Sequence, residues 1–213
     1  MKRDASLLFM VVLTFCYVIF PGTEGWAQTK ESDSREDERI SLDTNTMVGF
    51  FIGNYRVASD RYKQIFGHSR AISGVEASHI FSLGDRSLIG LSLEARGFSM
   101  SGRSTETGIL THFSMTPITL TGKYMLEKGD FNPYLGAGLD YILYKETSRM
   151  GDSSGGTVGF HVEGGLYYQP PLFDFIKIRA VLRYSRAVAE VNDIKVNLGG
   201  LEFGIGILYC FRI

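Results

Sequence analysis

The side chains most able to do chemistry in this chain are its four histidines, the serines and carboxylates near them, and two cysteines. Ser78 and His79 are neighbours, as a nucleophile and its base could be. On a strand, however, successive side chains point to opposite faces, so these two cannot reach each other. His161 and Glu163 do share a strand face, about 7 Å apart. Such a carboxylate could orient a base, although a network of buried charges uses the same pair more simply. His68 and His112 fall in or at the edge of polar connections. No metal-ligand spacing, phosphate-cradling glycine loop or G-x-S-x-G elbow occurs, and the glycines at 102–108 and 151–156 read as loop glycine. The reading therefore assigns no catalytic, cofactor-binding or metal residue and expects no cofactor.

The elements that carry these residues are strands. From 201 to 213, Leu201, Phe203, Ile205, Ile207, Tyr209, Phe211 and Ile213 occupy every second position, alternating with Glu202, Gly204, Gly206, Leu208, Cys210 and Arg212. Only a period of two gives that pattern. Eight such segments lie near 46–56, 71–82, 87–98, 113–126, 132–145, 157–168, 174–186 and 196–212. Each is long enough for the roughly 9 to 11 residues of a tilted transmembrane strand. Tight turns at 84–86, 128–130 and 169–173 alternate with longer polar connections at 57–70, 99–112, 146–156 and 187–195. With both chain ends on the short-turn side, this is the asymmetry of periplasmic turns and extracellular loops. Phe81, Tyr124, Phe131, Tyr134, Tyr167, Tyr168, Phe173, Tyr209 and Phe211 cluster at the short-turn end, where an interfacial aromatic girdle is expected.

Two faces follow from parity. Ile176, Ile178, Ala180, Leu182 and Tyr184 alternate with Lys177, Arg179, Val181, Arg183 and Ser185. If the polar faces point inward, Lys177, Arg179 and Arg183 can pair with Glu163, Asp140, Glu94, Glu76 and Glu202 across a narrow lumen. Alternation alone leaves the inside open, because a periplasmic lipocalin-like barrel exchanges the two faces. Bulk favours charges inside: an eight-stranded barrel is just wide enough for side chains, and the polar face supplies Gly136, Gly138, Gly159, Gly165, Gly204 and Gly206 as spacers.

The amino terminus and composition bound the rest. Lys2 and Arg3 precede an apolar run at 7–20, too short to span a bilayer as a helix, with Gly25 and Ala27 placed for cleavage. Residues 1–27 thus read as a signal peptide. Residues 28–45, with six acids and three bases, read as a disordered periplasmic leader, and 46–213 as the barrel. Removal of 1–27 leaves Cys210 without a partner for a disulfide. A net charge of −1 offers no pull toward nucleic acid. Arg61, Lys63 and Arg70, in the basic and aromatic connection, could meet lipopolysaccharide phosphates.

The turn and strand Asn132-Pro133-Tyr134-Leu135-Gly136-Ala137-Gly138-Leu139-Asp140-Tyr141 resembles the fifth strand of the outer membrane protein W (OmpW) family and related small outer-membrane barrels. The terminal Gly199-Gly200-Leu201-Glu202-Phe203-Gly204-Ile205-Gly206, followed by Tyr209 and Phe211, does so too. The resemblance covers most of 46–213. It implies a monomeric, porin-like, all-β, eight-stranded antiparallel up-and-down barrel in the outer membrane of a Gram-negative envelope. It also implies insertion by the barrel assembly machinery through the C-terminal strand and a role in passage of small hydrophobic molecules. The chain ends on Ile213, two residues past the aromatic Phe211 where such chains commonly stop. The expected function is non-enzymatic, serving envelope structure or such passage; the alternatives are a lipid A-modifying enzyme and the lipocalin-like binder.

Overall fold

The computed structural model describes residues 45–82, 87–103, 108–149, 151–173, 175–191 and 194–212. The signal peptide and nearly all of the leader expected at 1–45 lie outside them. The elements are β1 (Asn45–Val57), α1 (Asp60–Phe66), β2 (Arg70–Ser82), β3 (Ser87–Arg103), β4 (Leu110–Leu126), β5 (Phe131–Ser148), β6 (Gly151–Tyr168), β7 (Ile176–Val191), β8 (Ile194–Asn197) and β9 (Gly200–Arg212). Each long strand pairs antiparallel with its sequence neighbours. β9 pairs with both β7 and β1, from Ser185↔Gly200 to Ile176↔Tyr209 on one side and from Asn45↔Arg212 to Val57↔Gly200 on the other. Eight strands thereby close into a barrel and leave no edge in its wall.

Local chemistry explains where the strands stop. Gly129 takes a positive φ of 62° in the turn between β4 and β5, a conformation an L side chain rarely adopts. Pro170 and Pro171 come one residue after β6 and cannot donate to a ladder. At the opposite end, most of the length expected as loop continues as strand. β3 runs on to Arg103, β5 and β6 extend to Ser148 and Gly151, and β7 turns back as β8. β6 and β7 part above Gly159↔Ala187, so these hairpins rise separately from the wall.

The two faces differ as a membrane barrel requires. Outward side chains are apolar and exposed, Leu135 at 71% and Val158 at 67%. Inward ones include many charged groups, with Arg179 and Arg183 both at 1%. A soluble barrel has the reverse distribution. On β9 the outward row runs from Leu201 to Phe211. Ten steps of roughly 3.3 Å on a strand tilted by about 40° give a band about 25 Å tall, matching the apolar belt of outer-membrane barrels.

Glycines on the inner face let the wall approach its contents. A Cβ on Gly138 would overlap the Leu120 carbonyl of β4 and stand 2.7 Å from the His161 ring. Gly138→Ala should therefore force β4 and β5 apart and cost about 1–3 kcal/mol. A lowered urea midpoint, followed by gel mobility without heating, would register this; an unchanged midpoint would mean the contact is slack.

Candidate functional site

The lumen has two layers. The lower, toward the short turns, is ionic. Glu76 (β2), Glu94 and Arg96 (β3), Lys123 (β4), Glu163 (β6), Arg179 and Arg183 (β7) and Glu202 (β9) are all buried on the inner face. The register puts Glu76 directly opposite Glu94, a like-charge pair that would be destabilising alone. Arg179 resolves it, because its Nη1 donates to Glu76 and, at 2.8 Å, to Glu94, while its Nη2 donates to Glu163 at 3.0 Å. Arg183 donates through Nε to Glu163 at 2.7 Å and through Nη2 to Glu94 at 2.8 Å. Lys123 Nζ donates to Glu76 at 2.6 Å and to the Tyr167 hydroxyl at 3.0 Å. Arg96 pairs with Glu202 and approaches Glu94 at 3.6 Å. The four acids and four bases named here cancel in charge. β5 supplies Gly136, between Lys123 and Glu163 in the register, where a larger residue would displace the cluster.

Of the eight charges expected in the lumen, Glu76, Glu94, Glu163, Arg179, Arg183 and Glu202 lie together. Asp140 and Lys177 do not join them. Asp140 Oδ1 is hydrogen-bonded to His161 Nδ1 at 2.9 Å, and His161 Nε2 meets Thr121 Oγ1 at 3.0 Å. The partner of His161 is thus Asp140 across the β5–β6 pair, not Glu163, whose oxygens are taken by arginines. Lys177 is buried lower on β7, opposite Leu208, with no ion pair among the described residues. Arg96 and Lys123 join the ionic cluster, and parity with Glu94 and with Thr119 and Thr121 places both on the inner face. Tyr134 and Tyr167 also belong inside: they are buried, with Tyr134 accepting from Arg179 Nε at 2.7 Å. Tyr167 shares the inner face of β6 with His161 and Glu163. Phe81, Tyr124, Phe131, Phe173, Tyr209 and Phe211 do stand exposed at that end.

The upper layer is apolar and closed by α1. Tyr62 and Phe66, one helical turn apart, are buried in the mouth against Phe113, with ring centroids at 4.8 and 5.9 Å. Beneath them Phe98 stacks toward Tyr55 at 5.5 Å, and the Tyr55 hydroxyl donates to the Leu198 carbonyl at 2.6 Å. Gly102 on β3 lets α1 sit close, since a Cβ there would overlap the Ile65 carbonyl. Gly67, at φ 88°, ends the helix and its N–H caps Lys63 O at 3.0 Å. Two of the basic residues expected to meet lipopolysaccharide make contacts around this helix. Lys63 pairs with Asp60 at 2.8 Å, and the Arg70 guanidinium donates to the Phe66 carbonyl. The hydrogen bond from Lys63, then its charge, holds the Asp60 carboxyl below its ordinary range. The side chain of Arg61 lies outside the described residues.

Of three hydroxyl–imidazole pairs among the described residues, Thr46 Oγ1 and His79 Nδ1 meet at 2.8 Å across the β1–β2 ladder. Thr121–His161–Asp140 has the order of a relay, but its members are 0–2% exposed and no substrate could enter. Ser101 Oγ and His112 Nδ1 are 2.6 Å apart on the exposed outer face of β3 and β4. Among the described residues no carboxylate is hydrogen-bonded to His112, and the pair joins Ser101 to His112 directly across the β3–β4 ladder. No cluster of three or more metal-ligating side chains occurs among the described residues.

No protein-family model matches the chain, and no curated protein sequence does. Solved structures do match in fold. Neisserial surface protein A (NspA) superposes with a TM-score of 0.54 at 16% identity, over 78% of this chain and 97% of its own. The outer membrane protein OprG of Pseudomonas aeruginosa gives 0.53 at 15% identity, over 80% and 97%. Ail, the attachment invasion locus protein of Yersinia pestis, in complex with the heparin analogue sucrose octasulfate, gives 0.51 at 16% identity, over 79% and 100%. The chain has the fold of small eight-stranded outer-membrane barrels.

Proposed function

We propose that this chain is a non-enzymatic protein of the outer membrane whose barrel is sealed, serving the envelope as a structural and surface element. The observation that carries this reading is the filled lumen: a neutral ionic layer below and an aromatic plug above, on a wall whose exposed face is apolar. The neighbours in fold, an outer membrane protein and a surface protein among them, support the location. Passage of small hydrophobic molecules is the second reading. It is favoured by the apolar upper layer, which α1 covers, and would require that helix to leave.

Fractionation and flux test both. The chain is expected in the outer-membrane fraction, migrating differently with and without heating. Vesicles containing it should swell in a small sugar no faster than vesicles of lipid alone, and cells carrying it should take up an apolar dye no faster than cells without it. Dye uptake that rises with the intact chain would move support to the passage reading; a chain free in the periplasm would remove both.

A further inference from the structure

On the outward face of β2, Ala71 and Ser73 are small where the neighbouring strands are large. Ile52 on β1 and Phe203 and Ile205 on β9 stand proud of them, and the β2–β3 ladder ends beside Ser73 at Gly97. The result is a groove of about 570 Å³ across β2, β1 and β9, in the size range of small-ligand sites. It lies in the extracellular half of the apolar band, and its lining is almost wholly apolar. Asn54 is its polar upper edge. Two residues further along the same face of β1 comes Arg56, exposed and with no hydrogen bond or ion pair among the described residues. Strand geometry puts it about 7 Å above Asn54.

From this juxtaposition we infer that the β2–β1–β9 face is a seat for one phosphorylated glycolipid of the outer leaflet, an acyl chain lying in the groove and Arg56 holding a phosphate. The inference rests on the reading of the chain as an outer-membrane barrel. Charge complementarity and height select the occupant: the cation stands where the apolar band ends on the extracellular side, at headgroup depth. A guanidinium is also the side chain best shaped for bidentate contact with phosphate. Lys63 and Arg70, engaged around α1, leave Arg56 as the free cation of this face among the described residues.

The test uses the purified chain in detergent, incubated with bis-phosphorylated hexa-acyl lipid A and examined by native mass spectrometry. One retained lipid per chain is expected. Arg56→Gln should weaken retention about tenfold, and dephosphorylated lipid A should bind the parent chain as weakly. Ala71→Phe, which fills the groove, should abolish retention. Lys145→Gln, which removes an exposed outward cation across the barrel on β5, should change nothing. Equal losses in Arg56→Gln and Lys145→Gln would overturn the seat, as would equal retention of phosphatidylglycerol with matching chains. Gel mobility without heating, measured for every variant, separates these outcomes from failure of the barrel reading: a chain that is no barrel shows no heat-dependent shift. Should Ala71→Phe fail to fold, Arg56→Gln still decides.

Discussion

Replacing Arg179 with methionine is expected to destabilise the barrel by about 3–5 kcal/mol, because removing one member of a buried ionic cluster strands the others. Arg179 contacts Glu76, Glu94 and Glu163 at once, and two of these face each other across the β2–β3 ladder. Methionine keeps much of the volume, so the loss reports charge rather than a cavity. Lys177→Met provides the contrast. That lysine is equally buried on the same strand but has no ion pair among the described residues, and its replacement should move stability by about 1 kcal/mol or less. The measurement is the urea midpoint in micelles, read by the mobility of unheated samples. Equal midpoints for the two variants would mean that the carboxylates take up protons when Arg179 is lost and that the cluster is not held by charge.

Phe66→Ala should act on the mouth and leave the wall intact. A buried phenylalanine truncated to alanine costs about 3–5 kcal/mol. α1 touches the barrel chiefly through Tyr62, Phe66 and the approach at Gly102, so it can detach without unfolding the strands. At about 1.4 kcal/mol per decade, cleavage by trypsin after Lys63 should accelerate roughly 100- to 4,000-fold, since proteolysis follows the population of the opened helix. The mobility of the unheated barrel should not change. Because the ionic layer lies beneath the plug, the variant should also conduct no sugar. An unaltered cleavage rate would show that the rings do not hold the helix.

The wall was legible in the sequence because its signal is the simplest available. A period of two, kept over eight segments, assigns every side chain to one face, and bulk then chooses the inside. The same parity places Arg96, Lys123 and Tyr167 on the inner face, but an aromatic near a turn has the composition of a girdle whichever face it occupies. Pairing within the lumen was less accessible, since it depends on register. Whether His161 meets Asp140 or Glu163 turns on which residue of β5 lies beside it, and a one-residue slip exchanges the faces. The helix was hidden for another reason. Seven residues hold barely two turns, too few for a 3.6-residue period to stand out, although Tyr62 and Phe66 carry the i, i+4 spacing of a helix face. The rising hairpins were hidden by composition: Gly151, Ser153, Ser154, Gly155 and Gly156 favour loop, and their strand conformation comes from pairing with β5.

The neutral layer of charges has a meaning before the barrel exists. A chain bound for an outer membrane must first pass an inner one without lodging there as a helix. Lys177, Arg179 and Arg183 interrupt the apolar residues of β7, and any helix formed through that stretch would have to bury all three. At about 2.5–3.5 kcal/mol each at mid-bilayer, the sum opposes arrest by about 8–10 kcal/mol. The mean hydropathy of the whole chain is only +0.02. For a chain exported through the inner membrane, the side chains that later fill the lumen would first oppose arrest in the translocon, and a variant core of aliphatic residues, even one that packed well, would be liable to stop at the wrong membrane.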